Sequence, residues 1–237
     1  MSNAALDNHT EHLVISLGGI GSFDGGAGML QALGATFYDD EAQIVDMRKG
    51  ADLIKYIRRI DLSGVHPQLA KVNIQLMSDF SSRLYGKKSE IMQTYESLEL
   101  SQNEATEIDN LIWYFSELFK NELKIAMGPI ERGGAGGGIA AVLNSLYQAE
   151  ILTSHELVNQ ITHLENLIQQ ADLIIFGEGL KEEDQILETT TIRIAELTQQ
   201  YNKPAIAICA TNDKFDLFES LNVTAMFNTF IDMPDSY

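Results

Sequence analysis

The alternation of apolar and polar positions divides the 237-residue chain into strand-like and helix-like stretches. Leu13, Val14 and Ile15 form an apolar run that predicts a buried strand, broken at once by Gly18, Gly19 and Gly21. Gly25, Gly26 and Gly28 then lead into a short apolar helix start, Met29 to Leu33, and Gly34 suits the left-handed residue that ends it. Ala35 to Asp40 reads as a short strand or sheet edge running into an acidic turn, and Val72 to Leu76 alternates as a strand does. From Ser101 to Lys124 the residues Ile108, Leu111, Ile112, Phe115, Leu118 and Phe119 recur on one helical face, which Trp113 and Tyr114 widen. A second glycine cluster, Gly133 to Gly138, opens another helix, and Ser154 to Gln170 is expected to be one more, with Leu157, Ile161, Leu164 and Ile168 on one face.

The clearest unit comes last. Asp172 to Phe176 predicts a buried strand, Gly177-Glu178-Gly179 a tight loop at its carboxyl end, Thr190 to Gln200 a helix, and Ala205 to Ala210 a second strand. Strand, helix and strand of these lengths imply a right-handed crossover in a parallel sheet, hence an α/β fold.

Composition narrows the function. Thirty-four acidic against 16 basic residues give a formal net charge of -18, which argues against nucleic acid or an anionic membrane as partner. Phosphate would have to be met by backbone amides, a metal ion or a few well-placed cations. A single cysteine, Cys209, excludes an intramolecular disulfide framework and fits a reducing compartment. No run of about eighteen apolar residues suggests a membrane span. The polar residues 1–11 lack a signal-peptide pattern and are set aside from the fold as a tail, so the cytoplasm is the expected location.

Strand, glycine loop and helix start together leave backbone N–H groups able to face an anion at the positive end of a helix dipole. The same loop is also the simplest way to turn a strand sharply, and Asp24 has an equally plain reading as a helix-capping acid. The second cluster carries the same two readings, close approach to a phosphate or to a packed neighbour, with Arg132 the best-placed cation before it. Asp79 follows a predicted strand, where α/β proteins project side chains into their ligand crevice. His155 and His163 have no second ligand at a suitable spacing for a metal.

The segment Leu13 to Gly34 resembles the glycine loop of class I glycerate kinases, GGSATNDGGAGMLQALG. Gly18, Gly19, Asp24, Gly25 and Gly26 match it, and Ala27 to Gly34 match without a break. Ile20, Ser22 and Phe23 depart from it. Asp79, Leu84 and Gly86 match the family's DVxNPLxG, with Ser82 and Arg83 in place of its asparagine and proline. Its PQKGA falls on Thr94 to Leu98, where Glu96 replaces the lysine and reverses the charge. The second cluster is similar to GAAGGLGAAL. Asp172, Gly177, Glu178 and Gly179 match DLVITGEGRLDSQTLEGK, as does Gln185 once one residue is inserted before it, and the motif's aspartate falls on Glu182 or Asp184.

The resemblance implies two α/β lobes, one of them Rossmann-like with a parallel sheet, which transfer phosphate from ATP to a hydroxyl of glycerate with Mg2+. It implies lobes at 12–150 and 151–237, catalytic roles for Asp24, Asp79 and Asp184, and metal binding by Asp79 and Asp184. Substrate and phosphate binding would fall to Gly18, Gly19, Ser22, Gly25, Gly26, Arg132, Gly133, Gly134, Gly137, Gly177, Glu178, Gly179 and Gln185. Members of the family begin with a lobe bearing a PDSFKG-like segment, and the chain is similar to a truncated, divergent member without it. The lost lysine and lobe give an alternative expectation: a non-catalytic remnant that binds a small acid or a protein, or one half of a split kinase. A homo-oligomer or a separate lobe-supplying chain would then be its partner.

Overall fold

The computed structural model describes residues 2–8, 10–18, 22–178, 190–210 and 215–229, and divides into two compact units, Met1–Leu152 and Thr153–Tyr237. The first unit holds a short helix α1 (Ser2–Asp7) and a parallel sheet of β1 (His12–Ser16), β4 (Asn73–Met77) and β5 (Glu150–Leu152), in the order β1-β4-β5. Register runs from His12 opposite Asn73 to Ser16 opposite Met77, so both strands end at the same edge. Helix α2 (Ala27–Ala32) follows the first glycine stretch, and β2 (Thr36–Tyr38) pairs antiparallel with β3 (Arg59–Asp61). Helices α3 (Glu90–Thr94), α4 (Gln102–Leu123) and α5 (Ile139–Tyr147) lie between β4 and β5 in the chain.

Helix α4 is the longest element and follows from its sequence. Ser101 and Glu104 form a reciprocal capping box at its start, and Lys124 ends it in a left-handed conformation. Its apolar face brings Ile112, Phe115 and Phe119, each no more than 2% exposed, against Phe37, Ile54 and Ile57. Phe115 stands edge-on to both Phe37, at 5.8 Å, and Phe119, at 5.0 Å. A second apolar cluster packs Leu17, Leu69, Ile74, Leu76 and Leu143 about the sheet. Leu6 of α1 joins it at 1% exposure, so the stretch set aside as a polar tail contributes a buried anchor.

The second unit holds α6 (Ser154–Thr162), α7 (Leu164–Gln170), β6 (Ile174–Glu178), α8 (Thr190–Gln200), β7 (Ala205–Cys209), α9 (Phe215–Ser220) and β8 (Ala225–Asn228). Its three strands are parallel in the order β6-β7-β8, and Phe176 packs edge-on to Phe218 at 5.4 Å beneath them. The unit holds the expected strand, helix and strand.

Three expectations are corrected. Ser154 to Gln170 is two helices, because His163 turns left-handed and the Asn159 side chain caps the second by accepting the Glu165 N–H at 3.2 Å. Gly177 and Glu178 belong to β6 rather than to a loop, since they pair in register with Ile208 and Cys209. Neither predicted buried strand is buried on both faces. Val14 is 50% exposed on β1 at the edge of its sheet, and Ile175 is 61% exposed on β6. Among the described residues no helix is long and apolar enough to cross a membrane, and Cys209 is buried without a disulfide.

Candidate functional site

The first unit gathers its chemistry at the carboxyl edge of the parallel sheet. Gly18 lies just beyond β1 and Asp79 just beyond β4, on adjacent strands that end in register. Gly18 is exposed, with nothing within 4 Å of where a side chain would start. Asp79 is half-buried and holds a partner within the fold. The crevice beyond such strand ends is where open α/β sheets bind ligands.

The two glycine stretches meet, and mostly they meet each other. The Gly25 N–H donates to the Gly137 carbonyl at 2.9 Å. A β-carbon on Gly138 would stand 2.6 Å from the Gly25 α-carbon, and one on Gly137 would stand 1.6 Å from the Ser22 carbonyl oxygen. Backbone contact of this kind admits no side chain, so the packing reading holds for Gly25, Gly137 and Gly138. Ser22 is half-buried, and its carbonyl is part of the same contact.

Asp24 anchors the first of these stretches. Its Oδ1 accepts the Gly26 N–H at 2.9 Å and its Oδ2 the Gly28 N–H at 2.8 Å, and the residue is only 8% exposed. The Ala27 N–H goes to the Asp24 carbonyl at 3.1 Å. The amides from Gly25 to Gly28 therefore have acceptors inside the fold, and the carboxylate faces the start of α2 where a ligand anion was expected. In this conformation Gly25 and Gly26 do not offer their N–H groups outward, and Asp24 serves to hold the loop.

The second stretch is similarly occupied. Gly134 N–H donates to the Ser82 carbonyl at 3.2 Å, Gly133 N–H to Ile130, and Gly137 N–H to Glu90 Oε2 at 3.3 Å. The neighbouring Gly136 N–H favours the charged form of the same carboxylate. Arg132 precedes the loop in a left-handed conformation with a partner of its own. Sequence reasoning did not single out Glu90, which is 8% exposed at the first position of α3. The reversed charge at Glu96 is instead exposed, accepting a hydrogen bond from Tyr95 at 3.1 Å. Lys87 and Lys88 are exposed as well.

Burial pushes the Glu90 carboxyl above its ordinary 4.5, and the Gly137 and Gly136 N–H groups offset this only in part. A raised carboxyl means that the folded state holds the proton more tightly than the unfolded chain does. Its stabilising contribution is present at low pH and is lost as pH rises from the ordinary carboxyl value through the raised one. Glu90→Gln is expected to remove that loss, so urea unfolding of variant and parent should diverge in the variant's favour as the pH is raised above the ordinary carboxyl value. A difference that stays constant with pH would contradict a buried ionisable Glu90.

In the second unit Gly177 is exposed near the end of β6, and its backbone pairs with Ile208. Gly19, Gly179, Asp184 and Gln185 lie outside the described residues, as does the side chain of Glu178. Among the described residues no three histidine, cysteine, aspartate or glutamate side chains converge as a metal site. Cavities are found among the described residues of each unit. One of about 430 Å³ is lined by Gly28, Gln31, Ala32, Ile44, Asp46 and Arg48, and one of about 200 Å³ in the second unit by His155, Glu156, Arg193 and their neighbours.

Parallel sheets in two units, with an acid and a glycine loop at adjacent strand ends in the first, define an α/β protein with the strand-end arrangement beyond which such sheets hold their ligand crevices. Comparison with known proteins gives the family. The model of the Glycerate kinase family matches residues 1–235, and the chain belongs to that family. It is 31% identical to a glycerate kinase of Halalkalibacterium halodurans over 87% of this chain and 54% of that protein. It is 28% identical to glycerate 2-kinase of Escherichia coli over 94% of this chain and 58% of that one. A crystal structure titled as a glycerate kinase 2 of Salmonella typhimurium LT2 superposes with a TM-score of 0.78 at 29% identity, covering 96% of this chain and 59% of the other. The chain thus spans little more than half the length of these curated relatives.

Proposed function

We propose that the chain contributes to a phosphotransferase that moves the γ-phosphoryl group of ATP to a hydroxyl of glycerate. The observation that carries the reading is Asp79 beyond β4 beside Gly18 beyond β1, within a chain matched by the family along residues 1–235. In this reading the crevice holds the hydroxy acid with one hydroxyl directed at the γ-phosphorus. The hydroxyl oxygen forms the new P–O bond, ADP departs with the bond it breaks, and the hydroxyl proton passes to a carboxylate. Asp79 takes that proton or holds the metal, and the family resemblance offers Asp184 as a further candidate metal-holding acid. Mg2+ is held by one or two carboxylates together with substrate phosphates, so a lone acid at a strand end suits it. When bound, it would neutralise phosphate charge in the reaction. Asp24 positions the loop rather than reacting, because both its oxygens already accept N–H groups. We place the reaction in the cytoplasm.

A second reading has a specific observation in its favour. Glu96, exposed and acidic where the family motif carries a lysine, suits a protein that binds a small acid without phosphorylating it. One experiment separates the two. D-glycerate at about one hundred times its dissociation constant should stabilise the chain by about 2.7 kcal/mol in either case. The kinase reading expects ADP to form in the presence of Mg-ATP and D-glycerate, and expects Asp79→Asn to abolish this. Stabilisation without ADP formation supports the binding protein. No stabilisation by D-glycerate or Mg-ATP would count against both. If Asp79→Asn and Asp184→Asn together left Mg2+-dependent stabilisation unchanged, the metal assignment would fall.

A further inference from the structure

Glu90 is a buried acid with no cation. Among the described residues no lysine or arginine forms an ion pair with it, and its recorded partners are the N–H groups of Gly137, at 3.3 Å, and Gly136. A carboxylate taken out of water with only two amide donors, one of them long, is poorly compensated. It persists because its backbone is held from elsewhere. Ser89, the residue before it, donates from Oγ to Asp109 of α4 at 2.5 Å, and the Gly86 N–H reaches the same carboxylate at 2.8 Å. Helix α4 therefore fixes the start of α3, and only the Glu90 side chain would need to move to uncover the glycine amides.

A second observation at the same loop points to a ligand. Ser82 is 2% exposed, and its Oγ has no hydrogen-bond partner. It faces the loop at Gly134, where a β-carbon would stand 2.8 Å from it. A buried hydroxyl without a partner is uncommon enough to require a reason. The hydroxyl stands at Gly134, two residues before Gly136 in the same glycine loop.

We propose that the Glu90 carboxylate is a resident anion on the second glycine loop, and that the acidic group of a ligand, a carboxylate or phosphate oxyanion, binds the Gly136 and Gly137 amides by displacing it. The exchange keeps the amides satisfied and replaces one buried anion with another, so its balance is set by how well the loop holds each. Glu90 is in this sense a specificity-determining residue, setting how strong an incoming anion must be. The inference rests on the reading of this loop as an anion-binding element, and it does not require that phosphoryl transfer occur.

The test follows the Gly136 and Gly137 amide resonances of 15N-labelled chain during titration with acetate, inorganic phosphate and D-glycerate, with sodium chloride at matched ionic strength as control. Glu90→Ala removes the resident group and leaves room for a small anion. It is expected to bind acetate or phosphate at these two amides about tenfold more tightly than the parent chain, the scale of a charge-assisted hydrogen bond. Glu90→Gln, of nearly the same shape, guards against loss of fold and is expected to show a smaller gain. Acetate and phosphate arms distinguish a carboxylate site from a phosphate site. Equal affinities in parent and both variants would overturn the proposal, as would anion-dependent shifts confined to residues outside the second glycine loop. Failure of ADP formation would leave this result standing, whereas intact turnover with no change at these amides would remove this inference alone.

Discussion

Gly137→Ala is expected to cost the first unit about 3 kcal/mol or more, the upper range for forcing atoms into a packed interior. The residue has φ +63, and a β-carbon would stand 1.6 Å from the Ser22 carbonyl oxygen. That oxygen is backbone, so no flexible side chain can yield. Relief requires the two glycine stretches to part, which strains the Gly25 to Gly137 hydrogen bond and the seat of Asp24. Gly86→Ala is the control. Its φ is +89, but its β-carbon would meet nothing within 4 Å, so only the left-handed penalty of about 1–2 kcal/mol applies. Trp113 is the sole tryptophan and lies on α4, so its fluorescence in urea follows this unit. If the two variants lost the same stability, the close approach of the loops would not be what glycine serves at position 137.

This bears on how much of the site was legible in the sequence. Glycine-rich composition marked both loops, but spacing could not say whether the close neighbour was a phosphate or another backbone. For Gly137 and Gly138 it is another backbone, because the first loop, more than a hundred residues away in the chain, supplies their neighbour, whereas at Gly25 it is the Phe115 ring. The strand periodicity of Val72 to Leu76 and the helical face of Ser101 to Lys124 were sufficient, since one pattern persists over several residues in each. The strands Arg59–Asp61 and Glu150–Leu152 are three residues long and too short to show a period. The break at His163 carries neither glycine nor proline, and its cause, the Asn159 side chain capping Glu165, is a contact rather than a composition. Glu90 sits among Lys87, Lys88 and Ser89 and reads as part of a solvated stretch. Its burial is imposed by Asp109, from the middle of α4. The local signal available was the Ile91 that follows, 1% exposed, which shows that this short helix enters the core.

Phe115→Ala is expected to destabilise the same unit by about 3–5 kcal/mol, the cost of emptying a buried aromatic site. Phe115 is fully buried between Phe37 of β2 and Phe119 one turn along α4, and edge-on contacts to both rings are lost together. Trp113→Ala, two residues away but 48% exposed, should cost far less, about 1 kcal/mol or below. The larger consequence concerns the site. A β-carbon on Gly25 would stand 2.9 Å from Phe115 Cδ1, so this ring also bounds the first glycine stretch from below. Gly25→Ala should therefore be costly in the parent chain, through that contact and through its φ of +65, and less costly once the ring is gone. A double-mutant cycle between the two positions is expected to show a coupling of about 1 kcal/mol, with the φ penalty remaining in both backgrounds. Strict additivity would mean that the loop is set by Asp24 and Gly137 alone and that α4 merely passes beneath it. Coupling would mean that the core of the first unit fixes where Asp24 and the Gly137 contact stand, so that a packing residue on α4 decides the shape of the site without touching a ligand.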